Sequence, residues 1–227
     1  VFLGATLLLA AAVRLVAFFH TLDDPYLQFR QGDEEFYHRW ALDILGGTWG
    51  RTPAFHTSPL YAYFLALAYA AGGQSMAYVR LLNVLMGLGS VCLASLTARH
   101  LLKPHAAVLA TLLYGLCTAP IFYEWLPEKT SLTLLLTALS FFLIARAGAR
   151  DAPGHWLLAG LAVGLAALAH TTRLVRVPSG WLHLIFARSR ARAAAPQRAW
   201  NAAASRIEPS ISNSSSRNAA SWHSALS

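Results

Sequence analysis

Residues 1–19 read VFLGATLLLAAAVRLVAFF, an apolar run interrupted only by Gly4, Thr6 and Arg14. A helix rising about 1.5 Å per residue over that length crosses most of a hydrocarbon core about 30 Å thick. Lipid offers the backbone no hydrogen-bond partners, so a run of this kind has to be helical. Further along the chain, residues 78–98, 106–122 and 126–145 repeat the pattern, and 156–169 is a shorter fifth run that needs tilt or following residues to span. The first run has no small-residue cleavage site ahead of the polar region, which reads as a retained span and not a signal peptide. The expected fold class is an all-α polytopic membrane protein.

Composition agrees. Of 227 residues, 56% are hydrophobic and only 12% charged, with a mean hydropathy of +0.45, where soluble domains carry about a quarter charged residues. The formal charge of +8 raises the question of a nucleic-acid partner until it is located. Nearly all of the excess follows His170, where eight Arg face the single Glu208. No aromatic and basic surface accompanies them, so nucleic acid is excluded as a partner. Cys92 and Cys117 sit inside apolar runs and read as small buried hydrophobes, not as a disulfide or a metal pair.

Basic residues in short loops set the orientation. Arg99, His100 and Lys103 fill one connection, and Arg146 and Arg150, with Asp151, fill another; both read as cytoplasmic. Residues 20–77 then lie outside, carrying Asp23, Asp24, Asp33, Glu34, Glu35 and Asp43. Two helices are expected there. Residues 34–45 place Phe36, Tyr37, Trp40, Ala41 and Ile44 on one stripe, and 59–71 carry Tyr61, Tyr63, Phe64 and Tyr69. Tyr and Trp favour the headgroup zone, so both helices are expected to be amphipathic and interfacial. Gly46-Gly47 and Gly72-Gly73 mark their ends. Residues 170–227 form a basic, Ser-rich tail without periodicity, expected to be disordered; its Asn213-Ser214-Ser215 sequon reads as chance in such a composition.

Several short motifs in this order look familiar: Asp33-Glu34-Glu35-Phe36-Tyr37, Ser58-Pro59-Leu60-Tyr61, Tyr78-Val79-Arg80-Leu81, Tyr123-Glu124-Trp125-Leu126-Pro127-Glu128 and Trp156-Leu157-Leu158-Ala159-Gly160-Leu161. Together they resemble the family 39 glycosyltransferases, GT-C fold enzymes related to dolichyl-phosphate-mannose protein mannosyltransferases, in particular their bacterial branch. The resemblance covers roughly residues 2–169 and only the N-terminal portion of such enzymes. Where the family continues with Thr-Arg-Pro, this chain has His170-Thr171-Thr172-Arg173. It implies a partial GT-C-like bundle in a cell membrane, of the bacterial inner-membrane kind. The site would face outward and move a sugar from a polyprenyl-phosphate donor to a lipid, glycan or protein acceptor, with inversion.

Such a transfer needs a base for the acceptor's proton, a cation for the departing phosphate and an apolar groove for the lipid. Asp33 is the candidate base, with Glu34 beside it, and the resemblance implies that Asp33 matches the family's catalytic Asp. The plainer reading makes Asp33 the N-cap of the following helix, with Glu34 and Glu35 complementing its dipole. Glu124 and Glu128 flank Pro127 as a second acidic site or as a solvated turn. Arg80 suits a phosphate, while Arg14 is read as snorkelling to headgroups. Tyr37, Tyr61 and His56 complete the substrate-binding candidates. No cofactor is assigned beyond a divalent cation at the acidic outer loop. A transporter or lipid-handling protein is the competing class. It leaves the clustering of acids and aromatics in one outer segment without a purpose, and broken midplane helices and internal repeats are lacking. A chain that inserts without completing a site is a third.

Overall fold

The computed structural model describes residues 2–22, 24–25, 29–30, 32–48, 58–150 and 153–170. The tail beyond His170, its sequon, Asp23, Asp151 and the candidate His56 lie outside the described residues. Among those described, every regular element is a helix: α1 Phe2–Thr21, α2 Asp33–Leu45, α3 Pro59–Gly72, α4 Met76–Leu101, α5 Pro104–Gly115, α6 Thr118–Glu124, α7 Thr130–Arg150 and α8 Pro153–Ala169.

Helix α4 is the hub, packed against α7, α5, α1 and α6 and touching α3. Its inward face is rich in small residues. Gly87, Ser90 and Ser95 are buried there, so neighbouring backbones approach closely, as association in lipid requires. Several hydroxyl side chains along the spans bond a main-chain carbonyl one turn back. Ser90 donates to the Gly87 carbonyl, and Thr133, Thr137 and Ser140 donate to the carbonyls of Lys129, Thr133 and Leu136. That satisfies them without water. The outward faces are apolar, with Leu8, Leu67, Leu113, Leu157 and Leu161 more than half exposed. So broad an apolar surface is what a lipid solvent covers and what a soluble monomer avoids.

Helices α1, α4 and α7 are long and apolar enough to cross a membrane. The expected third span is not straight. It is the pair α5 and α6, bent by 44°, and counted as one it makes four spans. Pro120 explains the break, because it lacks the N–H that would bond the Leu116 carbonyl and its ring clashes with that carbonyl. The expected fourth span starts later, at Thr130, since Trp125 to Lys129 form an irregular connection around Pro127. Helix α8, at 17 residues, falls short of a full span. It buries Ala159, Ala162, Ala166 and Ala169 as a small-residue stripe and packs on α7 and α3.

Helices α2 and α3 pack against each other at the Thr21 end of the bundle. The stripe read from the sequence is the buried one: Tyr37, Trp40, Ala41 and Ile44. These residues share a core with Tyr61, Ala62, Leu65, Ala66 and Tyr69 of α3, Val79 and Met86 of α4 and Leu132 of α7. Tyr63 and Leu67 stay exposed on the other face of α3. The pair is thus amphipathic but packed face to face, not simply laid on a surface. Gly73, at φ 77°, closes α3 by donating to the Tyr69 carbonyl, a left-handed position that suits glycine. Cys92 and Cys117 are free and exposed, contrary to their expected burial, because the apolar faces that carry them point outward.

Candidate functional site

Asp33 opens α2. The residue ahead of it, Gly32, takes φ 58° and supplies the N-cap position with no side-chain bond. The capping role suggested for Asp33 therefore falls to Gly32, which leaves the carboxylate available for another partner. Asp33 Oδ2 accepts a hydrogen bond from Lys129 Nζ at 3.1 Å. Its side chain stays 62% exposed, while Lys129 is 20% exposed. Glu34 and Glu35 share the first turn of α2, where negative charge suits the helix dipole. Glu35 bonds Arg39 at 2.6 Å on the exposed face, and that guanidinium holds its carboxyl below the ordinary range. Glu34 acts electrostatically on both Arg80 and Tyr61.

Beneath Asp33 lies an aromatic floor. The Tyr37 ring centroid is 5.7 Å from Lys129 Nζ, and Tyr37 meets Tyr61 edge-on at 5.0 Å. Both rings are fully buried, and burial pushes the Tyr61 hydroxyl well above its ordinary pKa. Glu128 lies within electrostatic reach of Tyr61 and accepts from Thr130 Oγ1. Burial opposes the charge on Lys129, but its bond to Asp33 and the neighbouring Tyr37 outweigh that and raise its pKa. Lys129 is therefore an ammonium at neutral pH.

The turn that carries Glu128 and Lys129 is fixed from below by α4. Arg80 Nε donates to the Trp125 carbonyl at 3.1 Å, its Nη1 to the Thr21 carbonyl at 2.8 Å, and Asn83 Nδ2 to the Leu126 carbonyl at 2.8 Å. Arg80, only 2% exposed, thereby joins the end of α1, the start of α4 and the 125–129 turn. Buried polar atoms at this end without a partner among the described residues include Tyr61 Oη and Asn83 Oδ1. Buried groups of this kind are nearly always satisfied, so they are natural points for an internal water.

Glu124 belongs elsewhere. Its Oε1 accepts from Arg14 Nε at 2.9 Å, with both side chains nearly inaccessible. Arg14 also donates to the Ala10 and Gly115 carbonyls at 3.3 and 2.6 Å. Arg14 consequently does not snorkel; it lies across the α5–α6 break and neutralises Glu124 inside the bundle. Glu124 rests against Gly87, about 10 Å further along α4 than Arg80 at 1.5 Å per residue. The structure thus gathers Asp33, Glu34, Tyr37, Tyr61, Arg80 and Glu128, and sets Glu124 apart. Sequence reasoning missed Lys129 and Asn83; the signal was a cation adjoining Glu128 in a turn that was read for its acids alone. Among the described residues no group of three His, Cys, Asp or Glu side chains converges to hold a metal ion.

The model of the dolichyl-phosphate-mannose-protein mannosyltransferase family matches residues 56–205, more than half of the chain. The chain belongs to that family. Membership makes it a glycosyltransferase of the mannosyltransferase type, in keeping with its several apolar helices. The matched stretch holds Arg80, Glu124, Glu128 and Lys129, starts after the helix that bears Asp33, and runs on past His170. No curated protein and no solved structure matches the chain.

Proposed function

We propose that this mannosyltransferase-family chain, of the bacterial family 39 kind, takes a sugar from a polyprenyl-phosphate donor and passes it to an acceptor hydroxyl at the outer face of a cell membrane. The observation that carries the reading is the Asp33 carboxylate, largely exposed above the Tyr37–Tyr61 floor and released from helix capping by Gly32. An acceptor hydroxyl would give its proton to Asp33 while its oxygen attacks the anomeric carbon. The bond from that carbon to the phosphate oxygen breaks, and the lipid leaves as a phosphate monoester. One displacement inverts the configuration and needs no covalent glycosyl-enzyme, unlike the two-step retaining route of glycosidases.

Arg80 contributes through its field. Two of its nitrogens are engaged by main-chain carbonyls, so it supports a phosphate from beneath instead of clasping it with a planar fork. Glu34 and Glu128 would orient the acceptor above the Tyr37–Tyr61 floor.

Asp33→Asn is the test, because it keeps the size of the side chain and cannot accept the proton. The transfer rate should fall about a hundredfold to ten-thousandfold, with thermal stability nearly unchanged for so exposed a group. Transfer at the parent rate would remove Asp33 from the role and move the base to Glu34 or Glu128.

A further inference from the structure

Lys129 stands out because the chemistry just described leaves it without a task. Other cations at this end of the bundle are committed or buried. Arg80 is 2% exposed and bonded to carbonyls, Arg39 pairs with Glu35 on the outer face, and Arg30 Nη2 donates to the Gln74 carbonyl. Lys129 alone among these touches Asp33, at 3.1 Å. Its backbone belongs to a turn anchored by Arg80 and Asn83 through the Trp125 and Leu126 carbonyls. Its ammonium, by contrast, ends a flexible four-carbon stem. The Tyr37 ring, 5.7 Å from Nζ, is within cation–π range and offers a face over which that ammonium can shift without losing all of its partners.

We propose that Lys129 is an exchangeable counter-ion, which holds the Asp33 carboxylate while the site is empty and passes to the donor's phosphate when the lipid arrives. The proposal rests on the reading of Asp33 as base and deepens it. The Asp33 half of the pair is 62% exposed, and ion pairs open to solvent are weak, so a phosphodiester carrying a full negative charge competes with it. A carboxylate that loses a neighbouring cation binds a proton more readily. The incoming donor thus strengthens the base that its own transfer requires. Charge balances across the step: donor monoanion, neutral acceptor and Asp33 carboxylate give the neutral glycoside, the polyprenyl phosphate dianion and protonated Asp33. The ammonium then faces a dianion, the state in which it is needed most.

The probe is polyprenyl phosphate, the leaving lipid, titrated into the full chain in nanodiscs beside the polyprenol that lacks the phosphate. Lys129→Gln should weaken polyprenyl phosphate binding about tenfold to a hundredfold, as for a lost charged hydrogen bond, and leave polyprenol binding as it was. Lys129→Arg should restore most of the affinity. Asp33→Asn, by removing the competitor, should tighten polyprenyl phosphate binding about two- to fivefold. Parent-like phosphate binding by Lys129→Gln, an equal loss for both lipids, or no tightening in Asp33→Asn would each overturn the exchange. Should Lys129→Gln not fold, the Asp33→Asn arm decides alone. These are binding measurements, so they separate from the transfer assay. An inactive Asp33→Asn that does not bind phosphate more tightly sinks the exchange and keeps the base; an active one that does bind more tightly sinks the base and keeps the competition for Lys129.

Discussion

Gly87 shows how a single missing side chain admits a buried charge. A Cβ there would overlap the Glu124 carboxylate, at both Oε1 and Cδ. The carboxylate could move aside elsewhere, but here Arg14 holds it, and the partner carbonyls of Arg14 belong to α1 and α5. Gly87→Ala should therefore destabilise the protein by about 1–3 kcal/mol, the usual range for overpacking. Thermal unfolding in detergent is the measurement, and Gly87→Ala combined with Glu124→Ala should recover part of the steric loss. An unchanged midpoint in the single variant would show that Glu124 has room to relax. Gly89, whose added Cβ would meet only the tip of Leu135 at 3.0 Å, serves as the milder comparison on the same helix.

Among elements, the Arg14–Glu124 pair fastens α1 to both halves of the bent α5–α6 span. Removing one partner leaves a buried charge alone and typically costs about 3–5 kcal/mol, whereas replacing both with apolar residues of similar volume is often neutral. Arg14→Met should therefore lower the thermal midpoint sharply, and Arg14→Met with Glu124→Leu should restore it. A double variant as unstable as the single one would mean that the Arg14 bond to Gly115 matters more than the charge pairing. The elements themselves were largely legible in the sequence, because spans announce themselves by length and apolarity and α2 by its stripe of Phe36, Tyr37, Trp40, Ala41 and Ile44. The break at Pro120 was legible too and was overlooked, since an apolar window does not register a missing N–H. What could not be read were the pairings. Arg14 and Glu124 lie 110 residues apart and Asp33 and Lys129 lie 96 apart, and no periodicity links positions on different helices. Asp33 is legible as a candidate, whereas its partner Lys129 is not, because a lysine in a turn looks like any solvated lysine until the fold brings α2 beside it.

Across the described residues, acids gather at one end of the bundle, where Arg39 and Lys129 pair with two of them. Asp33, Glu34, Glu35 and Glu128 lie with Thr21, while Arg99 and His100 close the last turn of α4 at the opposite end, near Phe2 and Pro104. The positive-inside trend is the ground for proposing that the end with Arg99 and His100 faces the cytoplasm. In a background with exposed Cys92 and Cys117 replaced by Ser, a cysteine placed at Thr48 should react with an impermeant maleimide on intact cells, and one placed at His105 should not. The reverse pattern would turn Asp33 toward the cytoplasm and end the outer-face reading. The same buried ion pair also sets an order of events during synthesis. Arg14 enters the bilayer with the first span, but its carboxylate partner is made 110 residues later. At about 5–20 residues per second, the guanidinium waits on the order of ten seconds with no counter-charge, at a cost of about 3 kcal/mol near the middle of a membrane. The nascent first span therefore has reason to linger at the wall of the insertion channel, where water and protein can still shield Arg14, until the bent third span arrives to escort it into lipid.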